Sequence, residues 1–181
     1  NKLEFDAFCQ NCDYKVLQGY NYYKNKIKNK NLTDRNESIN QLFIECLGCC
    51  HNVTKNNNNL IGDMLDIKMF ESTKWRFTEY GWDNLIKSYV MPPQEHEPNK
   101  TEDDEHMKEL YMLGILKVYD YTTDNPRMTV LVRNIHQKNC QVFTKGAPEI
   151  IKKCCKKDTI PADFKKKLYI HTSKGERVIA L

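Results

Sequence analysis

Residues 112 to 149 read MLGILKVYDYTTDNPRMTVLVRNIHQKNCQVFTKGAPE, and their punctuation decides the fold. Met112 to Tyr119, Met128 to Asn134 and Cys140 to Thr144 are short runs with apolar centres, while Asp124-Asn125-Pro126 and Gln137-Lys138-Asn139 are turn formers. Three such runs joined by short turns predict an antiparallel meander. The last run leads into Lys145-Gly146-Ala147-Pro148-Glu149, where Pro148 at a first helical position and Glu149 beside it announce a helix. A cation and a glycine therefore stand where a strand gives way to a helix. Gly146 would let a flat ligand approach the backbone, and Lys145 would supply charge or a hydrogen bond. Those five residues are equally readable as a turn that needed a glycine.

Outward from this stretch, helices are expected over Pro148 to Cys155 and Pro161 to Lys174, the second closed by Gly175, followed by a final strand from Arg177 to Leu181. Upstream, Ile39, Leu42, Phe43, Cys46, Leu47 and Cys50 fall on one helical face, with Asp34 and Glu37 spaced as a capping box. Another helix is expected from Asp63 through Phe70, ending before Trp75, where a strand-like pattern resumes. Leu3 to Phe8 alternates as a strand would. The order predicts an α+β fold, a mostly antiparallel sheet flanked by helices, in a single domain over residues 1–181. Two polar insertions are expected at about 20–33, rich in Asn and Lys, and at 92–109, which is acidic; Asn56 to Asn59 suits a hairpin tip.

Composition narrows the function classes. No apolar stretch is long enough to cross a bilayer, so the chain itself is expected to make no direct membrane contact. It has neither an initiator Met nor a signal-peptide pattern and reads as a piece of a longer protein, whose parent is free to be membranous. The net charge of +4 is uneven: residues 92–109 carry seven acids against two lysines, and residues 145–181 ten Lys/Arg against four acids. Lys165-Lys166-Lys167 lies between Phe164 and Leu168 at helical spacing and reads as a solvated face, so no nucleic-acid partner is expected. The eight cysteines include the adjacent pairs Cys49-Cys50 and Cys154-Cys155, which suit disulfides poorly and point to a reducing, cytosolic compartment. The four sequons, at Asn31, Asn36, Asn52 and Asn99, are what an Asn-rich composition produces by chance.

Cys9-x-x-Cys12 with Cys46-x-x-Cys49, and His51 nearby, has the spacing of a tetrahedral zinc site, so a zinc-stabilised interaction module is one reading of the chain. Against it, Cys46 and Cys50 already belong to an amphipathic face, with Cys49 off it. There is no Walker A sequence, no dinucleotide fingerprint, no nucleophile elbow and no catalytic triad, and His96, His106, His136 and His171 sit in polar or turn contexts. Four separated signals remain: Gly62-Asp63 at a helix start, Tyr121 at the end of the first meander strand, Lys145-Gly146 after the third, and Arg177 opening the last. An aromatic face, cations, a carboxylate and a glycine are the parts that stack a purine, bond its amine and neutralise phosphate.

Together these segments resemble the nucleotide-binding domain of P-type ATPases, from about Cys49-Cys50-His51 to the C-terminal end. Lys145 to Glu149 is similar to the family's KGAPE signature, Gly62-Asp63-Met64-Leu65-Asp66 to its G-[DE]-P-x-[DE] helix start, and Arg127-Met128-Thr129-Val130 to its R-M-S-V segment. Cys50-His51, the run from Gly62 to Trp75, and Lys174 to Leu181 resemble the type V, subgroup B patterns CH, GDPLDLKMFEATGW and KGYRVIAL. The resemblance implies a cytosolic ATP-binding domain of a multi-spanning pump in the polyamine-transporter branch, on an endosomal, lysosomal or other membrane. It implies that Tyr121 stacks on adenine, Asp63 faces the base's amine, Lys145 and Gly146 line the pocket floor, Arg177 contacts ribose or phosphate, and Arg127, with Met128 beside it, stands in for a basic residue that Pro126 has replaced. Met64 stands at the usual helix-start proline, and Tyr121 at a position more often Phe. ATP, with Mg2+ in the full-length enzyme, and the phosphorylation and actuator domains of the same polypeptide are the implied partners. The phosphorylated aspartate belongs to a D-K-T-G-T motif that does not occur here, so the implied parent is the enzyme and this chain binds nucleotide without turning it over.

Overall fold

The computed structural model describes residues 35–57, 59–79, 84–92 and 112–181. The expected strand at Leu3 to Phe8, the cap at Asp34, the insertion at 20–33 and nearly all of that at 92–109 lie outside the described residues, as do Cys9 and Cys12.

The chain enters on helix α1 (Arg35–Cys49) and a two-stranded hairpin, β1 (Thr54–Asn56) with β2 (Asn59–Ile61). Asn56 pairs with Asn59 across the expected tip, and Asn57 takes a left-handed φ of 54°, a conformation Asn tolerates better than most residues. Helix α2 (Met64–Thr73) is followed by strands β3 (Arg76–Thr78) and β4 (Ser88–Met91). The meander is β5 (Leu113–Tyr119), β6 (Arg127–Asn134) and β7 (Cys140–Gly146). Helix α3 (Pro148–Cys154), a 3-10 turn (Lys157–Thr159) and helix α4 (Phe164–Thr172) complete the order. The strands β3 to β7 form one five-stranded antiparallel sheet in sequence order, the expected α+β arrangement.

The sheet buries one face against the main core by period-two alternation in β6, while at β4 and the start of β5 the other face is covered too, by a smaller cluster of Ile86, Tyr89 and Met112. In β6, Met128, Val130, Val132 and Asn134 are buried and the residues between them half-buried. Ile44, Cys46, Cys49 and Cys50 of α1 and its end pack on that face with Val90, Leu113, Ile115, Val130, Val132 and Phe143. In β5 the register slips between Ile115 and Lys117. That bulge moves the inward positions from Leu113 and Ile115 to Val118, leaving Lys117 and Tyr119 exposed.

Four expectations need correction. The buried stripe of α1 is not a narrow face: every residue from Ile44 to Cys50 is buried, Cys49 completely, whereas Leu42 is 43% exposed. The helix packs against α2 as well as against the sheet, and Gly48 meets Trp75, whose ring would be 3.2 Å from a Cβ there. Helix 161–174 is shortened to α4, although its cap is as expected: Gly175 has φ 78°, Gly175 N–H donates to Thr172 O at 3.0 Å and Glu176 N–H to His171 O at 3.2 Å. This is the Schellman pattern. The strand β7 runs two residues beyond Thr144, so Lys145 and Gly146 are its last residues rather than a junction after it. Finally, Arg177 to Leu181 is no strand: Gly146 and Ala180 exchange one pair of hydrogen bonds, both 3.0 Å, and form an isolated bridge.

Candidate functional site

Register assembles the centre of the site. Arg127 lies opposite Gly146, and Met128 opposite Lys145, on β6 and β7. The positions are close-packed, since a Cβ on Gly146 would sit 3.0 Å from the carbonyl oxygen of Pro126 and 3.2 Å from Cβ of Arg127. Alternation then turns Met128 and Lys145 inward together, Met128 into the core and Lys145 to 8% exposure.

A buried ammonium needs a partner, and Asp66 supplies it. Asp66 is the third residue of α2, and its carboxylate accepts from Lys145 Nζ through Oδ1 and from the Asn52 amide through Oδ2 at 3.4 Å. Asp63, the acid singled out from the sequence, is the exposed N-cap: the Leu65 amide donates to its Oδ1 at 2.9 Å. The signal for Asp66 was present, because Gly62-Asp63-Met64-Leu65-Asp66 carries two acids three residues apart. Three residues is most of a helical turn, so one acid caps and the other faces inward.

Near Lys145 lies a buried cluster of His51, cysteines and aromatic rings. The Val53 amide donates to His51 Nδ1 at 3.2 Å, so His51 carries its proton on Nε2 and donates it to Gly48 O at 2.8 Å. Burial lowers its pKa from 6.5 to about 4, and Phe70 and Phe77 pack edge-on against the ring. Cys50 Sγ lies 3.8 Å from the carbonyl oxygens of Met128 and Phe143, joining the end of α1 to both site strands. A hydrogen bond with Cys50, and then burial, push the Cys46 thiol well up; burial, and then Glu45, do the same to Cys49. Among the described residues no group of three or more His, Cys, Asp or Glu side chains could hold a metal ion.

The remaining candidates lie nearer the surface. Tyr121 follows β5 by two residues and is 61% exposed, at the start of a turn in which Thr122 N–H donates to Asn125 O at 3.2 Å and Asn125 N–H to Thr122 Oγ1 at 3.0 Å. That turn returns the chain to Arg127, so the ends of β5 and β7 and the start of β6 meet at one end of the sheet. Arg127 donates from Nη1 to Cys154 Sγ at 2.8 Å, a contact between β6 and the last residue of α3 that the sequence did not signal. Arg177 is exposed in the irregular segment that leads to the Gly146 bridge. The structure thus joins Arg127, Met128, Lys145 and Gly146 directly, and leaves Asp63, Tyr121 and Arg177 open to solvent.

No family model matches the chain. Individual proteins do: it is 33% identical over 155 residues to Polyamine-transporting ATPase 13A3 of Mus musculus, which covers 79% of this chain and 13% of that protein. It is also 33% identical over 159 residues to Vacuolar cation-transporting ATPase YPK9 of Saccharomyces cerevisiae (76% of this chain, 10% of that protein). Probable cation-transporting ATPase 13A4 of Mus musculus is 35% identical over 135 residues (75% and 11%). The chain belongs to the type V P-type ATPases. It spans about an eighth of the length of the first of these relatives. Among its described residues no helix is long and apolar enough to cross a membrane. What it represents within the family is therefore an α+β portion built around the five-stranded sheet.

Proposed function

We propose that this chain is the nucleotide-binding domain of a type V, subgroup B, P-type ATPase and that it holds ATP at the end of the sheet where β5, β6 and β7 meet. The observation that carries the proposal is the pairing of Arg127 with Gly146 and of Met128 with Lys145, which brings the RMTV and KGAPE segments side by side. The residues fit the chemistry of the ligand. Tyr121 offers an exposed ring for a base, and stacking of that kind contributes about 1 to 3 kcal/mol. Gly146 keeps the edge of the site low. Lys145 lines the floor with its charge oriented by Asp66, and Arg127 and Arg177 are the cations available to ribose and phosphate. Asp63, exposed at the start of α2, is the carboxylate available to the base's amine.

In this reading the chain binds and orients, and the reaction occurs elsewhere. ATP held here presents its γ-phosphate to an aspartate in the phosphorylation domain of the same polypeptide, with the actuator domain as a further partner, on the cytosolic face of a membrane. Magnesium, when bound in the full-length enzyme, neutralises phosphate charge. The cargo proposed for the parent is a cation of the polyamine class, and the isolated chain binds ATP without turnover. Amide spectra recorded during titration with millimolar ATP test this: shifts are expected at Tyr121, Lys145 and Gly146. An unchanged spectrum at those residues overturns it. Zinc analysis and chelation test the alternative module built on Cys9, Cys12, Cys46 and Cys49, which requires stoichiometric metal and unfolding by the chelator.

A further inference from the structure

Lys152-Lys153-Cys154-Cys155-Lys156-Lys157 places two adjacent thiols between two pairs of lysines. The segment spans the last turn of α3 and enters the 3-10 turn, and both cysteines are exposed. In Cys46, Cys49 and Cys50 the same side chain is buried core. The two exposed thiols also differ from each other. Cys155 Sγ donates to Ile151 O at 3.3 Å, whereas Cys154 Sγ lies 3.6 Å from Ile150 O and accepts from the Arg127 guanidinium at 2.8 Å. Cys154 is thus the sulfur that has a guanidinium against it as well as the neighbouring lysines.

We propose that Cys154 is a thiol–disulfide exchange site for an anionic small-molecule disulfide, with glutathione disulfide as the representative, and that the carboxylates of the mixed disulfide occupy Arg127 and so weaken nucleotide binding. The second half rests on Arg127 belonging to the nucleotide site. The four lysines select by charge, raising the local concentration of an anionic reagent. In the exchange, Cys154 loses its proton to solvent and its thiolate attacks one sulfur of the disulfide. The sulfur–sulfur bond of the reagent breaks, one glutathione stays bound to Cys154, and the other leaves as a thiolate that takes up a proton. Cys154 is oxidised and the departing sulfur reduced, with no further oxidant. Adjacent Cα atoms are ~3.8 Å apart, short of the ~4.4 to 6.8 Å of ordinary disulfides, so Cys155 is poorly placed to displace the glutathione. The adduct persists until an external thiol reverses it.

The 181-residue chain is incubated with glutathione disulfide or with cystamine, a cationic disulfide, and occupancy at each cysteine is followed by peptide mass spectrometry. With glutathione disulfide, Cys154, flanked by four lysines, should react roughly threefold faster than the exposed Cys140, which has only Lys138 nearby in sequence and Arg133 opposite it. That ratio should fall with cystamine, with added salt, and when Lys152, Lys153, Lys156 and Lys157 are all changed to Gln. Equal rates at Cys154 and Cys140, or modification mainly at Cys155, overturn the assignment. ATP titration follows: the Cys154 adduct should bind roughly three- to tenfold more weakly, as expected for loss of one charge-assisted contact, and Cys154→Ser should abolish the response. An adduct that binds ATP as tightly as the free thiol overturns the coupling. If the unmodified chain binds no ATP, the nucleotide reading fails while the rate ratios still decide the exchange site.

Discussion

Lys145 and Tyr121 stand at the same end of one sheet, with only β6 between their strands, yet the fold treats them oppositely. Lys145 is 8% exposed and its ammonium rests on Asp66; Tyr121 is 61% exposed and follows its strand into a turn. Lys145 is tied through α2 and the Asn52 amide to the rest of the molecule, so changing it disturbs folding and binding together. Tyr121 lies outside the apolar core, so changing it should disturb binding alone. Both carry one proposed role, and only the first also holds the structure.

The largest test breaks the tied half. Lys145→Ala leaves the Asp66 carboxylate buried without its cation, and removal of one member of a buried pair costs about 3 to 5 kcal/mol. Urea unfolding should show that loss. Restoring part of it in the double variant Lys145→Ala with Asp66→Asn would assign the cost to the stranded charge rather than to lost packing. A loss below about 1 kcal/mol in the single variant would place Lys145 with the surface residues, for which that is the usual scale.

The same half carries a pH dependence. His51 takes a proton near pH 6.5 when unfolded but only near about 4 in the folded chain, because burial penalises the imidazolium. Between those values the unfolded state binds the extra proton. The contribution is therefore complete above the unfolded value and is lost progressively as pH falls toward the folded one, by about 3 kcal/mol in all. Comparison of urea midpoints at neutral and mildly acidic pH for the wild-type chain and His51→Gln isolates it from the carboxylates. The variant should lose less stability on acidification, and parallel curves would mean that His51 charges freely in the folded chain.

How much of this could be read in advance follows the same division. The meander, its order, the hairpin at Asn56 and Asn59 and the start of α2 were legible, because each depends on local pattern and turn chemistry. Cys49 and the width of the buried stripe on α1 were not. A helical wheel assumes one covered side, and here α1 packs against both α2 and the sheet. The final segment has the apolar residues of a strand but bonds only Gly146, a tertiary choice that propensity does not register. In the candidate site, the pairing of Arg127 with Gly146 and of Met128 with Lys145 follows from the meander that the sequence predicts. The choice of Asp66 over Asp63 as the buried partner depends on which way α2 faces, and the contact of Arg127 with Cys154 on a chain reversal that no single segment encodes.

The smallest test addresses the open half and separates the two aromatic residues there. Tyr119 is 48% exposed, but Lys117 Nζ lies 5.0 Å from its ring centroid, so one face of that ring already has a cation. Tyr121 is the more exposed of the two and is the proposed platform for the base. Tyr121→Ala should weaken ATP by about 1 to 3 kcal/mol, the stacking contribution, in a calorimetric or spectroscopic titration. It should leave the urea midpoint within about 0.5 kcal/mol of wild type, as surface changes do. Tyr121→Phe keeps the ring and should keep the affinity, which separates stacking from any hydrogen bond of the hydroxyl. If Tyr119→Ala costs the affinity and Tyr121→Ala does not, the base lies farther onto the sheet, and the bulge that turns Tyr119 outward, rather than the turn after β5, is what the site is built on.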